Sequence, residues 1–170
     1  TLSLGGVLEG TVTDFAGQPL TNASVQLLDP VKGLEILSTT TDTNGAFILY
    51  GVPAGIWTAT VRDLAPEERL ALLVLTNQVF DSDTAITQAV QLAAATNTLA
   101  GQILDAGGFA PLSAQVKIFD ERGLPLCDLA ANGAGYFSTR ILPLGNYSLI
   151  ALAPDYRPGS ALVTLEPGAD

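Results

Sequence analysis

Residues 41–61 read TDTNGAFILYGVPAGIWTATV, and the fold turns on how this stretch is read. A polar turn, Asp42-Thr43-Asn44-Gly45, leads into a short apolar run over residues 47–50. A second turn, Val52-Pro53-Ala54-Gly55, leads into another run over residues 57–61. The Asn-Gly step supplies the positive φ that a hairpin turn needs, and Pro-x-Gly closes the next turn. The same order returns at Asn132-Gly133-Ala134-Gly135, residues 136–141, Leu142-Pro143-Leu144-Gly145 and residues 147–151. The chain therefore reads as a duplication.

Upstream of the quoted stretch, residues 7–14 alternate. Val7, Glu9, Thr11 and Thr13 fall on one face and Leu8, Gly10, Val12 and Asp14 on the other, the pattern of a half-buried strand. Residues 15–20 form a turn, and Ala23, Val25 and Leu27 point inward from the next strand. A loop from Asp29-Pro30 leads to residues 34–41. Downstream, residues 62–69 form a polar crossing with one helical turn expected around Pro66-Glu67-Glu68. Strands are expected at residues 70–76 and 85–92. The second unit restates this order: residues 99–105 answer 8–14, Pro111-Leu112 answers Pro19-Leu20, and residues 114–118 answer 23–27. Short strands between Gly and Pro turns at this spacing indicate an all-β sandwich in each unit. The boundaries drawn are a leading strand over 1–6, a first domain over 7–92, a linker over 93–97 and a second domain over 98–170.

Composition bounds the function. The 170 residues suit two domains of roughly 80 each. A hydrophobic share of 48% against 14% charged is ample for two cores and high for the surface of a solvated monomer. The net charge of -10 and a pI near 4.1 argue against nucleic acid and against an anionic membrane surface, since the seven basic residues are scattered. No apolar run approaches the roughly 18 residues of a membrane span, so no membrane insertion is expected. With no His and a single Cys, the usual Ser-His and Cys-His nucleophile pairs are absent, and the chain reads as a non-enzyme without cofactors. Cys127 reads as a small buried apolar side chain. The sequence has no Met and opens on Thr1, which suits a processed product, an excerpt or one slice of a repeat array.

Gly10, Val12, Asp14, Gly17, Pro19-Leu20, Ala23, Val25 and Leu27 fall at the spacing that opens the carboxypeptidase regulatory-like domain. Thr39, Asp42, Gly45 and Phe47, then Pro53, Gly55 and Trp57, complete the resemblance. That family is similar to transthyretin and to the B-type repeats of bacterial surface adhesins. The resemblance implies two tandem Greek-key prealbumin-like β-sandwiches with a stalk, spacer or accessory role. The second unit carries Asn132 where the family has Asp.

The second unit departs from the pattern in a further way. After residues 160–166 it has only Pro167-Gly168-Ala169-Asp170, where the first unit has one more strand. Ahead of the first unit stands Thr1-Leu2-Ser3-Leu4, a strand-like alternation with no partner of its own. One expectation is that Thr1, Leu2, Ser3 and Leu4 are donated to a neighbouring subunit, beside Ala161, Leu162, Val163, Thr164 and Leu165 or another open edge. Such contacts would build a head-to-tail homopolymer.

Other candidates are local. Asp42, Asn44, Asp81 and Asp83 offer oxygen ligands for calcium, but the downstream Glu of a calcium loop is missing and turn capping explains the same residues. Asn22 and Asn146 head glycosylation sequons at apparent turns, and residues 39–41 are a Thr cluster where O-linked glycans could attach. Lys117 lies between Val116 and Ile118, so it points outward and does not suit an internal isopeptide bond; Lys32 lies in a loop. Trp57 and Tyr147 read as equivalent core aromatics, and the aromatics in general as core. The expected role is that of an extracellular or cell-surface structural protein. The alternative is an accessory module that binds carbohydrate or a protein partner, with Tyr156 as a surface contact.

Overall fold

The computed structural model describes residues 5–166. Those residues hold strands and turns and no helix. They divide into two compact units, Thr1–Ala95 and Thr96–Asp170.

The first unit contains β1 (Gly6–Thr13), β2 (Ser24–Leu28), β3 (Glu35–Thr40), β4 (Ala46–Val52), β5 (Gly55–Arg62), β6 (Leu73–Phe80) and β7 (Ala85–Gln91). One sheet has the order β4-β1-β7 and the other β3-β2-β5-β6. The period-2 alternation of β1 and β2 sends Leu8, Val12, Val25 and Leu27 into one core. Phe47, Leu49, Val61, Phe80 and Val90 join them there, so the two sheets pack as a sandwich. β7 lies parallel to β1, with Leu8 opposite Ile86, Gly10 opposite Gln88 and Val12 opposite Val90.

The second unit contains β8 (Leu99–Gln102), β9 (Gln115–Asp120), β10 (Pro125–Ala130), β11 (Tyr136–Thr139), β12 (Gly145–Leu152) and β13 (Gly159–Leu165). Its four-stranded sheet has the order β10-β9-β12-β13, and β8 pairs with β11. Val116, Ile118, Ile141, Leu142 and Tyr147 form its core together with Cys127, which is buried as expected.

The structure corrects the local reading at five places. The Asn44-Gly45 turn joins β3 to β4, and these strands belong to different sheets, so it is a corner of the sandwich and not a hairpin. Gly45 (φ +72) fits there because a Cβ would sit 2.4 Å from the Val12 carbonyl oxygen, while the Val12 N–H donates to the Gly45 carbonyl at 2.8 Å. The Pro53 turn is likewise a corner, from β4 to β5. Residues 62–69 form no helix; Pro66 and Glu67 make a single turn closed by the Glu68 N–H on the Ala65 carbonyl at 3.3 Å, and Glu68 takes a positive φ of 47°. The strand expected at residues 70–76 begins at Leu73, Leu70 making an isolated bridge to Ala94. β10 is an additional strand, paired with β9.

Candidate functional site

In the first unit the outer edge of β1 is closed by β7, and Gly10 is what lets β7 approach. A Cβ on Gly10 would lie 1.9 Å from the Gln88 carbonyl oxygen, a clash with backbone that no rotamer relieves. Val90 is buried and Ile86 packs against the core. Gln88 Nε2 donates to Gln78 Oε1 at 3.1 Å and ties β7 to β6 across the rim of the sandwich.

The second unit repeats the parts without the cover. Phe47 faces Gly10 and Phe137 faces Gly101, which makes Gly101 the counterpart of Gly10. Among the described residues β8 pairs only with β11, so its other side is an open ladder edge. At Gly101 a Cβ would meet no strand backbone but the Phe137 ring, 2.6 Å away. A groove of about 420 Å³ runs between β8 and β13, with Val116 and Leu149 on its floor and Val163 on its far wall. No charged side chain lines it. Leu162 is 87% exposed, because the alternation of β13 turns it outward while Val163 and Leu165 turn toward the core. Ile103, the counterpart of fully buried Val12, is only half-buried.

The candidate residues fall as follows. Thr1, Leu2, Ser3 and Leu4 lie outside the described residues. Ala161, Leu162, Val163, Thr164 and Leu165 lie in β13, the outermost strand of its sheet. In the first unit, however, the strand after β6 sits on β1 and not on β6. The corresponding open place in the second unit is therefore the edge of β8, with β13 as the opposite wall. Strand periodicity alone had pointed to β13, the last strand in sequence. The signal that locates the edge was present: glycine at the same inward position of two otherwise apolar strands marks a close backbone approach.

Asp42 accepts the N–H groups of Asn44 and Ala46, each at 2.8 Å, and so caps its own turn. Asn132 does the same for Ala134 and Tyr136 in the second unit, which is why Asn serves in place of Asp. Asp81, whose N–H bonds Thr84 Oγ1 at 2.9 Å, and Asp83 belong to the turn between β6 and β7. Among the described residues no three His, Cys, Asp or Glu side chains converge to hold a metal. Asn22 is exposed in a turn with φ 61°. Asn146, expected at a turn, is instead the second residue of β12, where its Oδ1 accepts from Thr164 Oγ1 at 2.8 Å. Lys117 points outward and pairs with Asp128 on β10.

The aromatics divide differently from expectation. Trp57 and Tyr147 do pack inward, and each bonds back over its corner: Trp57 Nε1 to the Pro53 carbonyl at 2.8 Å, the Tyr147 hydroxyl to the Pro143 carbonyl at 2.6 Å. Burial, then the charges of Asp120 and Cys127, push the Tyr147 hydroxyl up to about 12. Phe15, Tyr50, Phe109, Tyr136 and Tyr156 are about half exposed or more, because they stand on loops or on the outward face of strands. Tyr156 borders a cleft of about 450 Å³ with Asp105 and Arg157, and its hydroxyl lies 3.4 Å from Asp105 Oδ2. The Asp105 carboxyl is held below its usual range, chiefly by the Phe109 N–H.

The family model of the carboxypeptidase regulatory-like domain matches residues 7–92. The chain belongs to this family. The match covers the unit whose seventh strand is in place; the unit with the open edge lies outside it. No curated protein matches the chain. Among solved structures it is similar to the Bacillus anthracis TIE protein, at 16% identity and TM-score 0.39, covering 96% of this chain and 31% of that one. It is similar to a streptococcal ancillary pilin at 15% identity and TM-score 0.39, covering 99% and 61%. It is also similar to the shaft pilin SpaA of Lactobacillus rhamnosus GG at 12% identity and TM-score 0.36, covering 94% and 93%. The chain thus spans about a third of the first of these proteins and three fifths of the second.

Proposed function

We propose that this chain is a non-enzymatic extracellular or cell-surface structural protein. In this reading it is the subunit of a fibre, pilus-like filament or stalk that assembles with itself, head to tail, by β-strand complementation. The observation that carries the reading is the open edge of β8 above an uncharged apolar groove, where the duplicate unit has β7. A contact between the leading segment of one copy and the second unit of the next uses two different surfaces. Such a contact propagates as a filament where its rotation does not close into a ring. Burial of Leu2 and Leu4 contributes roughly 1.5–3 kcal/mol each, and ladder hydrogen bonds add to it. Four residues hold weakly alone, so lateral contacts through exposed apolar side chains such as Tyr50 and Tyr136 complete the fibre.

A second reading, an accessory binding module, is favoured by one observation: exposed Tyr156 beside Asp105 and Arg157 at the rim of a cleft. An aromatic ring next to paired polar groups is the usual form of a carbohydrate contact.

Deletion of residues 1–4 tests the assembly reading. The expected product keeps its circular dichroism spectrum and melting temperature but forms no polymers under the electron microscope. Polymers of normal length from the deleted chain would contradict it.

A further inference from the structure

The groove of the second unit differs from that of the first at one position, and the difference selects its occupant. Gly55 pairs with Phe80 and Gly145 with Leu165, while Trp57 faces Gln78 and Tyr147 faces Val163. Val163 is therefore the counterpart of Gln78. In the first unit Gln78 receives the side chain of Gln88, the β7 residue opposite Gly10. In the second unit the same wall position is apolar. A strand with β7's own sequence would bring a glutamine amide against Val163 and leave it without its partner, at the cost of an unsatisfied polar group. The occupant needs an apolar residue opposite Gly101 and another two residues on, opposite Ile103, where Val90 lies beside Val12 in the first unit. It also needs to be uncharged, because the groove offers no counter-charge.

One segment at the head of the sequence has these properties. Thr1-Leu2-Ser3-Leu4 is uncharged in its side chains within a chain of net charge -10, and its two leucines are two residues apart. Gly5 follows with φ +71, which turns the backbone out of the line of β1.

Resting on the assembly reading above, we propose that the open edge of β8 receives Thr1–Leu4 of a second copy as a parallel strand. Leu2 then lies opposite Gly101 and against Val163, and Leu4 lies opposite Ile103. Specificity resides in the Leu2–Val163 contact, which replaces the Gln88–Gln78 pair of the first unit and keeps a β7-like strand out.

The test is a compensating exchange in the full chain, read as polymer yield by sedimentation and electron microscopy. Leu2→Gln is expected to lower the yield at least tenfold. Val163→Gln alone is expected to lower it as well, while leaving the circular dichroism melt of the soluble protein in place. The double variant Leu2→Gln/Val163→Gln recreates the glutamine pair of the first unit and is expected to recover most of the yield. If Val163→Gln does not fold, Leu2→Cys with Val163→Cys under mild oxidation gives the same answer as a ladder of disulfide-linked chains on a non-reducing gel. Wild-type polymers with normal yield from Leu2→Gln, or no recovery in a folded double variant, would overturn this register and leave the assembly reading standing. A failed Cys ladder in a sample that does polymerise would do the same. Absence of polymers from the wild-type chain under all conditions would remove the assembly reading itself, and this inference with it.

Discussion

Gly10 and Gly101 occupy the same position in the two units and answer to different neighbours. Beside Gly10 the obstacle is the backbone of β7, which cannot move without breaking the β1–β7 ladder. Beside Gly101 it is the ring of Phe137, a side chain that can rotate away. Gly10→Ala should therefore destabilise the first unit by more than about 3 kcal/mol, an overpacking cost against backbone. Gly101→Ala should change the stability of the soluble chain by only about 1 kcal/mol. If a strand docks on β8 as β7 docks on β1, Gly101→Ala also abolishes polymer formation although the protein stays folded. Urea denaturation of both variants with sedimentation of the second checks this. Equal destabilisation by the two substitutions, or polymers of Gly101→Ala, would contradict the equivalence of the two edges.

At the scale of the elements, the two sandwiches differ in how the strand after the proline corner is anchored. β5 is tied by the indole of Trp57 and β12 by the hydroxyl of Tyr147, each to a carbonyl of its own corner. Only the second anchor can ionise. Its pKa in the folded chain is about 12, raised from the ordinary 10, so the folded state holds the proton more tightly than the unfolded chain. The resulting stability is fully present below pH 10 and is lost as pH rises toward 12, with a slope of at most about 1.4 kcal/mol per pH unit. Tyr147→Trp, which copies the first unit, should flatten the fall in melting temperature between pH 10 and 12. An unchanged alkaline profile would show that another group is responsible.

Much of this layer was legible in the sequence. The alternation of Leu8, Gly10 and Val12, the capped turns at Asp42 and Asn132 and the repeated Pro-x-Gly corner fix where strands begin and which side chains turn inward. Local pattern did not say which strands pair. Asn44-Gly45 has hairpin chemistry, yet it serves a corner, because β4, which it leads into, pairs with β1 and not with β3; the Val12–Gly45 hydrogen bond continues that β1–β4 ladder. β10 was hidden because it starts at Pro125 and its register shifts between Pro125 and Cys127, which leaves only a short alternating run; pairing with β9 makes it a strand. The proposed site rests on a parallel pairing like that of β1 and β7, distant in sequence, which periodicity does not reveal; β13, the strand periodicity points to, is an outermost strand as well.

For the whole molecule, the duplication supplies its own reference. One unit shows a completed seven-stranded sandwich, and the other shows the same core with β8 open to one side. An apolar groove on a chain of net charge -10 favours association only where an uncharged segment meets it, and like charge elsewhere disfavours random aggregation. Ordered end-to-end growth is the outcome consistent with both. The most direct measurement is negative-stain electron microscopy of the full chain, with intact mass taken on the same sample. Filaments built from chains of about the 17.5 kDa sequence mass are the predicted result. Isolated particles of that mass at every concentration would contradict strand exchange between copies and leave the Tyr156 cleft as the functional surface.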